Sequence, residues 1–284
     1  MLDRVLGARI REYAPANQVE QENVLQELMQ HYVLSSLSRA GLFAEAMFHG
    51  GTCLRIVFAM NRFSEDLDFL LKRPDPDFRW QGYLESVRKD CAQEGISFEA
   101  QDKSQAGTAF QKAFLKTDSI GKILALDLPF ERDQSRKIRI KLEIDINPAA
   151  GSTFTTSYIT FPVTAPLTTQ SLESGFALKL HALLCRSYVK GRDWYDFVWY
   201  VARKIKPDLD LLRHALHQQG PWAGQTVTVT RRWVDENMEA VIRRIDWGTA
   251  RADIQRFLPL REQAGLRAWS TDFFLNQLAR MNDS

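Results

Sequence analysis

Residues 49–54 read His49-Gly50-Gly51-Thr52-Cys53-Leu54, and after a short apolar run residues 62–69 read Arg62-Phe63-Ser64-Glu65-Asp66-Leu67-Asp68-Phe69. Two glycines followed by two carboxylates one residue apart form the minimal kit for holding a nucleotide's phosphates and its magnesium. On a strand, positions i and i+2 project from one face, so Asp66 and Asp68 can reach one ion while Leu67 and Phe69 point into a core. Magnesium wants hard carboxylate oxygens in an octahedral shell that leaves places for water and phosphates. Gly50 and Gly51 let the backbone approach a triphosphate without a Cβ in the way. Thr52 adds a hydroxyl and an early helix N–H, where the dipole favours anions. Read singly, Gly-Gly-Thr is a helix cap and Ser-Glu-Asp-Leu-Asp a solvated turn. Together, in order and one helix length apart, they point to a nucleotide site.

The flanking sequence supplies a scaffold. Leu25, Leu28, Met29, Tyr32, Val33 and Leu37 recur at helical spacing, so residues 17–40 read as one long helix ended by Gly41. Residues 46–49 are a short strand, 52–58 a helix opening after the glycines, and 66–71 a strand. A helix over 80–94 closes at Gly95, with strands at 97–101 and 110–117. The clearest strand is 137–147, where Ile138, Ile140, Leu142, Ile144 and Ile146 take one face. Lys137, Arg139, Lys141, Glu143, Asp145 and Asn147 take the other. After Pro162 and Pro166 the character changes. Residues 171–186, 193–204, 208–217, 231–245 and 271–280 suit helices, and no strand is read there. The chain is therefore expected to be α+β: residues 1–165, with the leading helix, carry a mixed or antiparallel sheet flanked by helices, and residues 166–284 form an all-helical lobe.

Further side chains extend the candidate site. A third carboxylate should come from a neighbouring strand, and Glu143 and Asp145 share the polar face of residues 137–147. Asp145 is preferred as the shorter, stiffer metal ligand. Leu172, Phe176, Leu180 and Leu183 form one stripe, and Lys179 falls inside it. A lysine on an apolar face either snorkels at a rim or binds an anion such as a triphosphate. Arg186, seven residues on, can share that role, while His181 points the other way. Asp193 and Asp196 lie at i, i+3 on the next helix. There Asp193 is a helix cap, a base toward an acceptor hydroxyl, or a partner that fixes Lys179 or Arg192. His49 reads as a strand-end residue. Arg231-Arg232-Trp233 and Arg243-Arg244-Ile245-Asp246-Trp247 suit either an RNA-gripping surface or plain amphipathic helices.

Bulk composition sets limits. The chain has 284 residues, with 37 basic and 35 acidic side chains and a formal charge of +2, so no global field compels nucleic-acid binding. Apolar residues at 45% allow a sizeable core. The longest apolar stretches are too short to span a bilayer, and no secretory signal is read at the N-terminus. Cys53, Cys91 and Cys185 follow no metal-ligand spacing and suit reduced, buried thiols in the cytoplasm.

The motifs His49-to-Leu54, Asn61-Arg62-Phe63-Ser64-Glu65-Asp66-Leu67-Asp68-Phe69, Ala177-Leu178-Lys179-Leu180-His181 through Arg186, and Gly191-Arg192-Asp193-Trp194-Tyr195-Asp196-Phe197 resemble the AbiEii/AbiGii nucleotidyltransferase toxin family, from about residue 20 to the C-terminus. The resemblance implies a DNA polymerase β-like nucleotidyltransferase with a two-lobed shape and its site in the cleft. It implies that Gly50, Gly51 and Thr52 hold phosphates, that Asp66 and Asp68 bind magnesium, that Lys179 contacts the triphosphate, and that Asp193 completes the site with Asp196 close by. The third acidic position falls on Glu143 or Asp145. Members of the family act as toxins of bacterial or phage-defence toxin–antitoxin pairs, and some related toxins add nucleotides to the 3′ end of tRNA.

The expected reaction is Mg2+-dependent transfer of a nucleoside monophosphate from an NTP to an acceptor hydroxyl, with Mn2+ able to stand in for Mg2+. The acceptor is expected to be RNA, tRNA in particular, and the partner a cognate antitoxin. Transfer to a protein or small-molecule hydroxyl, or a non-catalytic NTP-binding interaction module, are the alternatives.

Overall fold

A computed structural model describes residues 2–104, 108–117, 129–130 and 138–282. Two compact units emerge. One comprises the described residues up to Pro148 together with Thr155–Thr169, and the other comprises Ala149–Phe154 and the described residues from Gln170 onward.

The first unit opens with helices α1 (Leu2–Tyr13) and α2 (Gln18–Arg39). Asn17 caps α2 by accepting the Glu20 N–H at 2.9 Å, and the Glu20 carboxylate reaches back to the Ala16 N–H at 2.9 Å. This reciprocal pairing satisfies N–H groups that the helix itself leaves without partners. Short α3 (Leu42–Glu45) leads into β1 (Ala46–His49), α4 (Gly50–Ile56) and β2 (Asp66–Leu71). Next come α5 (Gln81–Gln93), β3 (Glu99–Asp102), β4 (Phe110–Thr117) and β5 (Ile138–Asp145). Strands β6 (Phe154–Ile159) and β7 (Ala165–Gln170) complete a seven-stranded sheet in the order β3-β4-β5-β2-β1-β7-β6. It is mixed: β2 runs parallel to β5 and β1 to β7, whereas β1/β2, β3/β4 and β4/β5 are antiparallel.

Strand β5 shows how the sequence writes the sheet. Ile138, Ile140, Leu142 and Ile144 are buried, and Arg139, Lys141, Glu143 and Asp145 face the other way. The buried face packs against α2, whose Val24, Leu25, Leu28, Val33 and Leu37 join the same core. Lys137 lies outside the described residues.

Two strands escaped the sequence reading, and β7 corrects the expectation that none follows Pro162. Both are rich in Ser and Thr, so apolar alternation is missing. Their hydroxyls bond to one another instead: Thr169 meets Ser157 at 3.0 Å and Thr155 at 3.2 Å. Thr168 donates to the Phe43 carbonyl at 2.8 Å. A buried polar group with a partner costs little to keep inside, yet hydropathy cannot register it.

The second unit is helical: α6 (Leu172–Cys185), α7 (Gly191–Ala202), α8 (Leu209–Gln218), α9 (Arg231–Arg244), α10 (Trp247–Gln255), α11 (Leu260–Gln263) and α12 (Thr271–Asn282). Side chains of Ser171, Asp208, Thr230 and Asp246 cap α6, α8, α9 and α10. Its core is aromatic, with Trp247 stacked on Phe274 at 4.0 Å and Trp194 set edgewise against both.

Candidate active site

In the first unit, β2 puts Leu67 and Phe69 into the core and leaves Asp66 and Asp68 on the opposite, partly exposed face. The glycine turn stands directly against this pair. Gly50 has φ +77°, and a Cβ there would lie 2.6 Å from Oδ2 of Asp68. A side chain at Gly51 would meet the Arg62 guanidinium at 2.3 Å. Gly50 is therefore favoured by conformation as well as space, whereas a Cβ at Gly51 would have to displace the end of the Arg62 side chain. Helix α4 begins at Gly50 rather than Thr52, so the glycines form its first turn.

Thr52 corrects one expectation. It is fully buried and its hydroxyl donates to the Asp66 carbonyl, so that oxygen ties α4 to the start of β2 and is not presented to a phosphate. Other ties come from residues the motifs did not single out. Gln30 on α2 donates to the carbonyls of Ser64 at 3.0 Å and Glu65 at 2.9 Å, and Gln26 donates to Glu65 at 3.1 Å. Arg62, 2% exposed, donates to the Phe63 carbonyl at 3.0 Å. The loop leading to the aspartates is thus held from behind by α2 and by its own arginine. The signal for Gln26 and Gln30 was their i, i+4 spacing on a helix with a long apolar face.

The parallel register between β2 and β5 sets Asp66 opposite Lys141, Asp68 opposite Glu143 and Leu70 opposite Asp145. Glu143 therefore shares a pleat with Asp68, while Asp145 lies one pleat farther along. The Asp145 carboxylate accepts the Asn147 N–H at 2.9 Å, and burial raises its pKa despite that bond. Position favours Glu143 over Asp145, against the sequence preference. Glu143, however, is already engaged: Lys141 reaches one of its oxygens at 2.6 Å and Lys112 the other at 3.2 Å. Burial pushes the Glu143 pKa up, but the Lys141 hydrogen bond and charge, with Lys112, outweigh burial and hold it below its ordinary value. Lys141 also lies 3.8 Å from Asp66. Burial would lower its own pKa, but Glu143, Asp66 and Asp68 raise it overall.

These residues fit a magnesium ion of the kind that nucleotides bring. Asp66 and Asp68 offer hard oxygens on one face, beside a glycine turn with no side chain to obstruct phosphates. Among the described residues no group of three His, Cys, Asp or Glu side chains is gathered for metal binding, in keeping with the diversion of Glu143 to lysines. Two carboxylates supplemented by phosphates and water are an ordinary magnesium shell.

In the second unit, Lys179 on α6 lies 2.7 Å from Asp193 Oδ1 and 2.8 Å from Asp196 Oδ2. Arg186 pairs with the other Asp193 oxygen. The lysine sits on an apolar stripe because two carboxylates of α7 await it there; it is not snorkelling. Asp196 is fully buried and Asp193 nearly so. Burial raises the Asp193 pKa, but Lys179, Arg186 and Lys190 overcome burial and depress it strongly. Asp193, in the first turn of α7, is thus a fixed anion that orients cations, and a weak base. The structure brings Lys179, Arg186, Asp193 and Asp196 together in this unit. It brings Gly50, Gly51, Asp66, Asp68 and Glu143 together in the other.

The arginine–tryptophan segments resolve as amphipathic helices. Arg232 pairs with Glu236 at 2.8 Å and Arg243 with Glu239 at 2.6 Å, Arg231 caps the Met281 carbonyl, and Trp247 is in the core.

Residues 32–277 match the family model described as nucleotidyl transferase AbiEii toxin, type IV TA system. The solved structure of JHP933 from Helicobacter pylori is 16% identical, with 92% of this chain and 95% of that one covered at a TM-score of 0.51. MenT4, a nucleotidyltransferase toxin from Mycobacterium tuberculosis, is 18% identical over 98% of both chains at a TM-score of 0.49. No curated protein matches this chain. Similarity to JHP933 extends to the fold alone.

Proposed function

We propose that this chain, which belongs to the AbiEii nucleotidyltransferase toxin family of type IV toxin–antitoxin systems, transfers a nucleoside monophosphate from an NTP to the 3′ hydroxyl of RNA, tRNA in particular. The observation that carries the proposal is the packing of Gly50 against the Asp68 carboxylate, with Asp66 on the same strand face. In this reading Asp66 and Asp68 hold the divalent ion, Mg2+ or Mn2+, and Glu143, not Asp145, is the nearest further carboxylate. The ion supplies charge neutralisation on the phosphates and orientation for in-line attack. Gly50 and Gly51 admit the triphosphate, and Thr52 fixes the start of β2. In the second unit we assign Lys179 and Arg186 to nucleotide phosphates, with Asp193 and Asp196 holding them in place. The acceptor oxygen forms a bond to the α-phosphorus, the bond to the β-phosphate oxygen breaks, pyrophosphate leaves and the hydroxyl proton passes to water.

The biological reading is growth inhibition in the bacterial cytoplasm, countered by a cognate antitoxin and serving phage defence. Among the described residues no helix is long and apolar enough to cross a membrane. The test is incubation with each labelled NTP against total RNA, mixed protein and aminoglycoside, for the wild-type chain and for Asp66→Ala and Asp68→Ala. Label is expected in small RNA for the wild type and nowhere for the variants. Label in protein or drug alone, or wild-type labelling by either variant, would overturn the proposal.

A further inference from the structure

The cavity beside the Lys179–Asp193 cluster holds more positive charge than that cluster needs. It has a volume of about 420 Å3 and is lined by residues of the second unit, with Leu184, Val189 and Ile245 among its apolar walls. Arg186, Lys190 and Arg244 line it too, and among the described residues Asp193 is the one acidic side chain on its wall. Both Asp193 oxygens are already taken, one by Lys179 and the other by Arg186. Lys190 and Arg244 form no ion pair among the described residues. The carboxylate that offsets the half-buried Lys190 ammonium, Asp193, is shared with Lys179 and Arg186, so several cations draw on one anion, an arrangement that a further anion would relieve. Burial depresses the Lys190 pKa; Asp193 opposes that, while Arg192, Arg186 and Lys179 deepen it. At the same cavity Tyr188 is 63% exposed, and the Arg186 guanidinium lies 5.1 Å from its ring centre. An exposed aromatic ring beside a guanidinium, in a cavity that Lys190 and Arg244 also line, suits a base stacked next to its own phosphate.

We propose that this cavity is a nucleotide subsite, with Lys190 and Arg244 binding a phosphate and Tyr188 stacking the attached base. The volume is adequate for one nucleotide and lies within the usual range for small-ligand pockets. The inference rests on the reading of Lys179 and Arg186 as phosphate-facing groups, and it adds residues which that reading does not use. Two sources offer the same chemistry, a free NTP and the end of an RNA acceptor.

The experiment measures fluorescence anisotropy of labelled ATP and, separately, of a labelled single-stranded RNA of about ten nucleotides, with adenosine as a phosphate-free competitor. The full chain is compared with Lys190→Met, Arg244→Gln, their double variant and Tyr188→Ala, after thermal melts establish folding. Arg244 is exposed, so Arg244→Gln tests the site even if Lys190→Met unfolds. Each charge removed should weaken at least one probe about tenfold, the usual loss with a charge-assisted hydrogen bond. The probe that weakens names the source. If RNA is the ligand, the salt dependence should become shallower by about 0.7 for each phosphate that is no longer neutralised. Adenosine should compete weakly with either probe. Wild-type affinity of the double variant for both probes, or no binding of either probe by the wild type, would overturn the inference. Labelling of RNA by the wild type with unaltered probe binding in the variants removes this subsite and leaves the proposed function standing. Lys190-dependent phosphate binding without any transfer to RNA does the reverse.

Discussion

The α-carbon of Gly50 and the carboxylate of Asp68 are so close that the glycine turn and the strand aspartates form a single surface, with 2.6 Å between Asp68 Oδ2 and the place a Cβ would take. Gly50→Ala should therefore damage both stability and turnover. The left-handed backbone alone costs an alanine about 1–2 kcal/mol. Displacement of Asp68 by the methyl group should lower transfer about a hundredfold, as misplacement near 1 Å does. Thermal melts read the first effect and labelled-NTP transfer the second. Transfer at the wild-type rate would show that the carboxylate is free to move aside.

Lys141 lies between Asp66 and Glu143 and competes with any divalent cation for their charge. Lys141→Met removes the competitor while keeping the apolar stem. Loss of one half-exposed charge next to the site is worth on the order of 1 kcal/mol, so Mn2+ should bind about five- to tenfold more tightly. Titration of free Mn2+ by electron paramagnetic resonance measures this without turnover. Unchanged affinity would remove Lys141 from the metal site.

Acid stability should depend on Asp193. Its pKa is depressed in the folded chain, so the stabilisation is complete above the unfolded value of about 3.9 and is lost as pH falls through the lower folded value. Lys179 has a raised pKa, and its contribution is complete below about 10.4 and lost only as pH rises through the higher folded value. Asp193→Asn should thus flatten the stability profile below pH ~4 and lower the plateau by about 3–5 kcal/mol, the usual cost of breaking a buried ion pair. Urea denaturation at a series of pH values tests both. An unchanged acid limb would assign it to other carboxylates.

Gln30→Leu tests whether α2 holds the loop that leads to Asp66. Two carbonyls, of Ser64 and Glu65, lose their donor. Buried carbonyls without partners cost about 1–3 kcal/mol each, partly relieved here by Gln26 and by solvent. Urea midpoints should fall, and kcat should fall more than KM rises, because Asp66 loses its alignment. Reduced stability with unchanged kcat would limit Gln30 to a structural role.

Much of this was legible in residue order. The alternation in residues 138–145 put Lys141, Glu143 and Asp145 on one face, and the Asp66–Asp68 spacing put both carboxylates together. Alternation cannot choose between Glu143 and Asp145, since both obey it. Strand register chooses, and register depends on a partner far away in sequence. The same limit hid Lys112 and Lys141 as partners of Glu143. For Thr52 the sequence showed a hydroxyl near glycines but not the carbonyl it would meet. Lys179 on its apolar stripe was legible as an anomaly, yet only the packing of α7 on α6 reveals that its partners are Asp193 and Asp196.

The two glutamines of α2 have a genetic corollary. They grip the backbone carbonyl of Glu65, just before Asp66, from a separate helix. A selection for cells that survive expression of this toxin should then recover substitutions at Gln26 and Gln30 together with those at Asp66 and Asp68. Survivors mapping to residues 26–30 would otherwise be dismissed as simple folding defects, when they are in effect remote lesions of the loop that leads to Asp66.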